Sequence, residues 1–174
     1  MKKYIIKGPT NSISGTVNIN GAKNSCLPLM AASILFKDKV ILKNVPLVKD
    51  VITMKNLLIS LGSKVEILKK NKMIIKNSKP HKRRVPYKLV STMRAGVLTM
   101  GSLLGRYQKK KIYVAKGGGC SLGIRDINYH LSGFESLAAE HRLEKGYVRI
   151  QSKNGLVGGC LLYTSDAADD VEGV

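Results

Sequence analysis

Three short stretches of the chain combine residue types that could carry chemistry, and the most specific of them is a glycine-rich loop. The segment Gly117–Gly123 contains four glycines around Cys120 and is flanked by Lys116 and Arg125. Such a loop exposes backbone N–H groups to an anion, and nearby cations favour the thiolate form of a cysteine. Cys120 could therefore act as an acid, a base or a nucleophile. The alternative is an inert cysteine packed in a glycine turn.

The other two stretches place a cation at the start of a predicted helix or inside one. Lys23 and Asn24 precede an apolar helical segment, and the positive N-terminus of a helix suits a phosphate group. The alternative is a solvated Lys23 with Asn24 as the N-cap. Arg94 lies within an otherwise apolar helical pattern. It could bind a phosphate or carboxylate through its guanidinium fork, or extend to solvent.

The elements that must position these residues alternate between short strands and helices. Periodicity predicts strands at Tyr4–Lys7, Ser14–Asn20, Lys39–Asn44, Val65–Leu68, Met73–Ile75, Lys111–Ala115 and Gly146–Gln151. It predicts helices at Cys26–Phe36 with Pro28 in the first turn, Asp50–Leu61 closed by Gly62, Tyr87–Leu104, and Ile127–Ala138. The helix Asp50–Leu61 and the strand after it parallel the last helix and the strand near Tyr147. This weak repeat predicts an α/β domain of similar units.

The strongly basic composition leaves three interpretations of the charge open. The 174 residues include 30 Lys and Arg against 11 Asp and Glu, a net charge of +19. That excess is compatible with nucleic-acid binding, with a solvated lysine-rich surface, or with a pocket for anionic small molecules. The densest basic runs are His81–Arg84 and Lys109–Lys111.

Targeting signals and cysteine spacing favour the cytoplasm. No apolar run reaches the roughly 18 to 20 residues of a membrane span, and the N-terminus lacks a secretory pattern. The three cysteines show no C-x-x-C spacing, which argues against a disulfide framework and a structural zinc site. We therefore expect a cytoplasmic protein with no membrane partner and no metal.

The C-terminal residues differ from the rest. Residues 160–174 contain no Lys or Arg and four acidic residues, and they could form a natural acidic tail. Cys160 to Asp170 instead resembles the in-frame translation of a sequencing adapter. We expect residues 160–174 to be a non-native tail, which removes Cys160 as a site candidate.

The three stretches together, by order and spacing, resemble the UDP-N-acetylglucosamine enolpyruvyl transferase family over residues 3–159. The shared motifs are Ile-Lys-Gly-Pro-Thr at 6–10, Gly-Ala-Lys-Asn at 21–24, Asn-Val-Pro at 44–46, Thr-Met-Arg-Ala at 92–95, Gly-Gly-Cys at 118–120, His-Leu-Ser-Gly-Phe-Glu at 130–135 and Leu-Glu-Lys-Gly-Tyr-Val at 143–148. The sister enzymes that make enolpyruvylshikimate phosphate share the fold but lack the cysteine loop. Cys120 therefore favours the first family.

The resemblance implies a fold and a reaction. The fold is an inside-out α/β barrel of repeated βαβαββ units. Residues 1–21 would be the N-terminal strand region of a two-domain hinge, and residues 22–159 would be about two of three units of one domain. The enzyme would transfer the enolpyruvyl group of phosphoenolpyruvate to the 3′-hydroxyl of UDP-N-acetylglucosamine, the first committed step of peptidoglycan synthesis. It would need no cofactor and bind no nucleic acid.

The resemblance also implies residue roles. Cys120 would protonate the enol carbon and could form an adduct with phosphoenolpyruvate. Lys23 and Arg125 would hold the phosphate, with Asn24 positioning the reacting groups. The nucleotide-sugar site would be formed by Arg94, Arg125, Asp126, Ile127, Asn128 and Tyr129.

Three positions depart from the family pattern. Asp126 stands where the family has Pro, Ala138 replaces a usual Gly, and His141 replaces an apolar strand residue. An acid beside a diphosphate is unfavourable, so these departures bear on nucleotide binding.

The chain alone is expected to be inactive, because the family takes its catalytic Asp base and its carboxylate-binding arginines from sequence beyond this chain. Two other classes stay open at this point. They are a small basic nucleic-acid-binding protein and a non-catalytic nucleotide-sugar-binding module.

Overall fold

A computed structural model describes residues 3–5, 8, 12, 14–78, 81–91, 93–115 and 127–160. The predicted glycine-rich loop with Cys120, Arg125 and Asp126 lies outside these ranges, as do residues 161–174 of the predicted tail. Of Arg94, only the backbone is described.

The first part of the chain forms a unit of two helices and a three-stranded sheet. Its elements are α1 (Lys23–Ala32), a 3-10 turn (Ser33–Leu35), β1 (Val40–Leu42), α2 (Lys49–Leu61), β2 (Lys64–Leu68) and β3 (Lys72–Lys76). The strand order is β1-β3-β2, and both pairings are antiparallel. Since β1 and β2 both run opposite to β3, they are parallel to each other, and α2 connects them across the sheet.

The second part repeats this arrangement with an added strand. Its elements are β4 (Arg84–Val85), α3 (Tyr87–Val90), a 3-10 segment (Arg94–Leu98), α4 (Thr99–Arg106), β5 (Ile112–Ala115), α5 (Asn128–Ser136), β6 (Glu140–Glu144) and β7 (Tyr147–Gln151). The sheet order is β4-β5-β7-β6, with β4 parallel to β5 and the other pairs antiparallel. The predicted α/β class is confirmed.

The two units share one topology. In each, a strand, a helix and two further strands form a sheet with the last strand in the middle, as β1-β3-β2 and as β5-β7-β6. The match corrects one detail of the predicted repeat. The strand that follows α5 and corresponds to β2 is β6, and the strand at Tyr147 corresponds to β3.

Helix α2 shows why the sequence folds this way. Its predicted apolar face is buried at Val51, Met54, Leu58 and Leu61, which follows from apolar residues at helical spacing. Gly62 ends the helix with φ 119° and donates its N–H to the carbonyls of Leu58 and Ile59. Glycine adopts this left-handed conformation without a Cβ penalty.

The predicted single helix Tyr87–Leu104 is wrong. The chain forms α3, then an extended Met93 (φ −148°, ψ 115°), then the 3-10 segment and α4. The Ser91 hydroxyl donates to the Lys88 carbonyl at 3.2 Å, a local bond that competes with helix propagation. The break lets Gly96 lie against Val90, where a Cβ on the glycine would be only 3.2 Å from a Val90 methyl carbon.

The predicted strands before α1 are also wrong for the residues described. No strand forms at residues 3–5 or 14–20, and Tyr4, Ile5, Val17 and Ile19 are each at least 84% exposed. Alternation alone does not make a strand, because the backbone groups of a strand need a partner. Two strands were not predicted. Strand β4 is only two residues long, and β6 is mostly exposed and lacks alternation.

Candidate functional site

The start of α1 places two of the predicted site residues at an uncapped helix end. Lys23 and Asn24 are the first two residues of α1, and both are exposed. Ala22 takes the N-cap position and makes no side-chain cap hydrogen bond, so Asn24 is not the N-cap. The first N–H groups of a helix have no intrahelical acceptor. This end of α1 can therefore offer N–H groups and a lysine to an anion.

Gly21 and Pro28 fix the geometry of that end. A Cβ on Gly21 would collide with the carbonyl oxygen of Asn44, so only glycine lets the chain enter α1 beside the end of β1. Pro28 was predicted in the first turn, but α1 begins earlier, and Pro28 lies in the second turn. Proline has no N–H to bond the carbonyl four residues earlier. The carbonyl of Asn24 is therefore left without its helical donor.

An ion pair joins the starts of α1 and α2. The Nζ of Lys23 lies 2.9 Å from Oδ2 of Asp50, which is in the first turn of α2. The two side chains are 48% and 38% exposed, so the pair contributes little to stability. Its consequence is positional, because Asp50 holds the ammonium group at the helix end. Asp50 was predicted only as the start of a helix, because no local sequence signal links it to Lys23.

The backbone of Arg94 begins the 3-10 segment. This segment, taken as a whole, packs against α1, the helix that carries Lys23 and Asn24.

The remaining described candidates lie at the start of α5. Ile127 takes the N-cap position without a side-chain cap hydrogen bond and packs partly against the core. Asn128 is exposed, and Tyr129 is 87% exposed. Phe134 anchors the helix, because its ring lies against Gly101 of α4, where an added Cβ would be 3.2 Å from the ring.

The described cysteines differ from one another in accessibility. Cys26 is 6% exposed, and burial raises the pKa of its thiol, which disfavours the reactive thiolate. Its predicted place in the core is confirmed. Cys160 is exposed.

Within the described ranges, no three His, Cys, Asp or Glu side chains cluster as a metal site would require. No helix in these ranges is both long and apolar enough to cross a membrane.

Comparison with known proteins identifies relatives. The family model of EPSP synthase (3-phosphoshikimate 1-carboxyvinyltransferase) matches residues 7–168. A UDP-N-acetylglucosamine 1-carboxyvinyltransferase of Photorhabdus laumondii is 40% identical over 162 residues, which cover 93% of this chain and 37% of that protein. The protein of the same name from Magnetococcus marinus is 44% identical over 152 residues, covering 87% and 36%. The chain thus spans little more than a third of the length of these relatives.

A solved structure supports the fold. The enolpyruvyl transferase NikO from Streptomyces tendae superposes with a TM-score of 0.69 at 17% sequence identity, over 84% of this chain and 32% of that one. At this identity the likeness concerns the fold alone. It agrees with the α/β architecture of repeated units described above.

Proposed function

The chain belongs to the EPSP synthase family, and we propose that it is part of an enzyme that transfers the enolpyruvyl group of phosphoenolpyruvate to the 3′-hydroxyl of UDP-N-acetylglucosamine. In this proposal, residues 22–159 supply about two of the three units of one domain, and residues 1–21 belong to the hinge. Residues 160–174 have no role in it. Cys26 is unpaired, which fits a cytoplasmic location, and both proposed ligands are small molecules.

One observation carries the choice of acceptor. Relatives that are 40% to 44% identical over most of this chain bear the name UDP-N-acetylglucosamine 1-carboxyvinyltransferase. Cys120 in its glycine-rich loop agrees with that name, because the resemblance gives such a loop to this branch and not to the shikimate branch. The same relatives support placing the reaction at the start of peptidoglycan synthesis.

The chemistry assigned to Cys120 is proton transfer to carbon. The thiol gives its proton to the methylene carbon of phosphoenolpyruvate while the sugar oxygen bonds to the adjacent carbon. The hydroxyl proton passes to the base that the resemblance places beyond this chain. The adjacent carbon then expels inorganic phosphate, and the methyl carbon returns one proton to the Cys120 thiolate to restore the double bond. Positive charge near the phosphate oxygens stabilises the leaving group as it develops.

Lys23 and Asn24 supply part of that stabilisation at the start of α1. The ammonium group of Lys23 and the open N–H groups of the first turn can bind the same phosphate. Since Asp50 is 2.9 Å from Nζ of Lys23, an arriving phosphate competes with a carboxylate for the lysine. Asp50 therefore keeps the lysine in place without neutralising it permanently. Arg125 is proposed as the second phosphate ligand.

The nucleotide-sugar site is proposed from Arg94 and the segment from Arg125 to Tyr129. The start of α5 at Ile127 supports the assignment, because the positive end of the helix dipole attracts a diphosphate. Asp126 works against it, since a carboxylate repels a diphosphate. We therefore expect weaker nucleotide binding than in a relative with proline at this position, and Asp126→Pro to strengthen it.

Cysteine labelling with an epoxide phosphonate tests the proposal on the 174-residue chain. The phosphonate mimics the phosphate of phosphoenolpyruvate, and peptide mapping reports which cysteine has opened the epoxide. We expect Cys120 to react at least about tenfold faster than the buried Cys26, and Lys23→Gln to slow Cys120 by about tenfold. Lys39→Gln, an exposed lysine outside the site, is the matched control and should change nothing.

Two further arms decide the substrate class. Phosphoenolpyruvate should protect Cys120 from the label, and UDP-N-acetylglucosamine should alter its labelling rate whereas shikimate 3-phosphate should not. Cys26 also reports on folding, because it is protected only while the core is intact. Labelling of Cys120 at the rate of Cys26 in a folded chain would contradict the assigned role, and a response to shikimate 3-phosphate alone would move the protein to the other branch.

A further inference from the structure

The two densest basic runs of the sequence meet in one groove. Residues 85–108 separate the two runs in the chain, yet both runs line one cavity of about 1000 Å³. The lining residues are His81, Lys82, Arg83, Arg84, Lys109, Lys110, Lys111, Tyr113 and Gln151. The groove lies where β4 and β5 begin and β7 ends. It therefore lies at the opposite end of the strands from the C-terminal end of β5, after which the glycine-rich segment begins in the sequence.

Backbone hydrogen bonds hold the two basic runs in place. The Arg83 carbonyl accepts from the N–H of Tyr113 at 2.8 Å, as part of the parallel pairing of β4 with β5. The N–H of Lys82 donates to the Leu61 carbonyl at 2.7 Å. On the other side, the Lys109 carbonyl accepts from the Gln151 side-chain amide at 3.0 Å. These bonds fix the backbone of the two runs on neighbouring segments although their charges repel.

Among the described residues, six cationic side chains line this groove, and the lining residues include no Asp or Glu. The four ion pairs among the described residues all involve other positions, namely Lys23–Asp50, His141–Glu135, Arg149–Glu144 and Lys153–Glu140. Convergent like charges raise the free energy of the folded state. A bound polyanion would offset that cost.

Arg84 differs from the other cations of the groove because its side chain is stacked on aromatic rings. Its guanidinium stacks over the ring of Tyr147 at 4.1 Å and lies 5.7 Å from the ring centre of Tyr113. A stacked guanidinium loses less freedom when it binds an anion. The other lining cations are exposed, so each can follow a ligand along the groove.

We propose that this groove binds a small ligand that carries several consecutive phosphates. A single phosphate can engage only two or three of the cations at hydrogen-bond distance, and six are present. The volume is at the upper end of the roughly 300–1000 Å³ of small-molecule sites. The size and the charge together match a polyphosphate group better than orthophosphate.

Calorimetric titration of the full chain with inorganic tripolyphosphate tests the proposal. We expect saturable binding that weakens as salt rises from about 50 mM to about 200 mM. Orthophosphate should bind at least about tenfold more weakly, because it reaches fewer cations. The triple variant Lys109→Gln, Lys110→Gln, Lys111→Gln should weaken tripolyphosphate binding at least about tenfold.

The matched control is Lys64→Gln, Lys69→Gln, Lys70→Gln on the β2–β3 hairpin. It removes the same charge from exposed lysines and, like the first triple, changes one position with positive φ, Lys70 in place of Lys109. It should keep binding within about twofold. Should the first triple fail to fold, Lys82→Gln with Arg83→Gln makes the same test on the other side of the groove.

Three results would overturn the proposal. One is equal weakening by both triples, which would indicate attraction to net charge alone. Another is the absence of saturable tripolyphosphate binding in the folded chain. The third is tight binding of a single-stranded oligonucleotide with no competition from tripolyphosphate, which would assign the groove to nucleic acid. The labelling of Cys120 is a separate readout, so either proposal can fail without the other.

Discussion

Acidification should destabilise the chain through a single buried imidazole, His81. The side chain is 5% exposed and sits in a polar cluster between the two units. Its Nδ1 lies 2.9 Å from the Tyr107 hydroxyl, and its Nε2 lies 3.1 Å from Oδ1 of Asn77 and 3.0 Å from Oγ of Ser63. The neutral form with hydrogen on Nε2 satisfies these partners, since Nε2–H donates to Asn77 while Tyr107 donates to Nδ1.

A second imidazole proton would disrupt the hydrogen bonds of His81. It would occupy Nδ1, which accepts the Tyr107 hydroxyl in the neutral form, while the same hydroxyl accepts the backbone N–H of His81 at 2.7 Å. Arg106, whose guanidinium bonds the carbonyls of Ile34, Phe36 and Asn77, adds a positive charge nearby. Burial, and then the charge of Arg106, lower the pKa of His81 from 6.5 to about 4.

The sign and size of the effect follow from linkage. Well above pH 6.5, as at about pH 7.5, the histidine is mostly neutral in both the folded and the unfolded chain, so it costs almost no stability. As the pH falls below 6.5, the unfolded chain binds a proton that the folded chain refuses, so the free energy of unfolding decreases. The loss reaches about 2 kcal/mol at about pH 5 and levels off at about 3 kcal/mol below pH 4.

Urea unfolding at about pH 7.5 and about pH 5 measures this loss. His81→Gln keeps a donor for Asn77 but cannot titrate, so it should be less stable at neutral pH and lose about 2 kcal/mol less on acidification. His130→Gln, at an exposed position, is the control and should keep the pH dependence of the unmodified chain. The reasoning is refuted if His81→Gln loses as much stability between the two pH values as the unmodified chain.

Two substitutions and one activity assay test the fold and the proposed function further. Gly21→Ala should lower stability by about 1–3 kcal/mol in thermal unfolding, because its Cβ meets the Asn44 carbonyl, while Gly158→Ala, which has open space, should be neutral. Leu58→Ala should cost about 2–5 kcal/mol in urea unfolding by leaving a core cavity, against a small change for the half-exposed Ile59→Ala. The 174-residue chain should release no phosphate from phosphoenolpyruvate and UDP-N-acetylglucosamine. Measurable turnover that disappears in the Cys120→Ser variant would contradict this expectation.

Local patterns predicted the elements whose causes are local. Helix α2 has apolar residues at helical spacing and a glycine at its C-terminus, so its bounds differ from the prediction by one residue. The hairpin of β2 and β3 was likewise recovered from two β-rich segments around a lysine-rich turn. The broken helix before β5 was not predicted, because its apolar pattern runs through the break and the packing of Gly96 against Val90 is seen only in the fold.

Two features of the candidate sites were not predicted from the sequence, because both depend on contacts between distant segments. Lys23 and Asn24 were predicted from their place before a helix, but the ion pair with Asp50 spans 27 residues and needs the packing of α1 on α2. The meeting of the two basic runs depends on the parallel pairing of β4 with β5. A two-residue strand such as β4 carries too little pattern to be seen in sequence.

The repeated topology explains why the candidate residues lie where they do. In the first unit, β1 leads into α2 through residues 43–48, and Asp50 lies in the first turn of α2. In the second, β5 leads into α5 through residues 116–127, a connection of twelve residues against six, with Asn128 and Tyr129 at the helix start. Both connections leave the carboxyl end of a strand and enter a helix whose N-cap residue makes no side-chain hydrogen bond, and the positive start of a helix favours an anion. The longer connection contains the glycines and Cys120. The two units therefore share the helix start and differ in the length of sequence before it, and the candidate Cys120 lies in the part of the second unit that has no counterpart in the first.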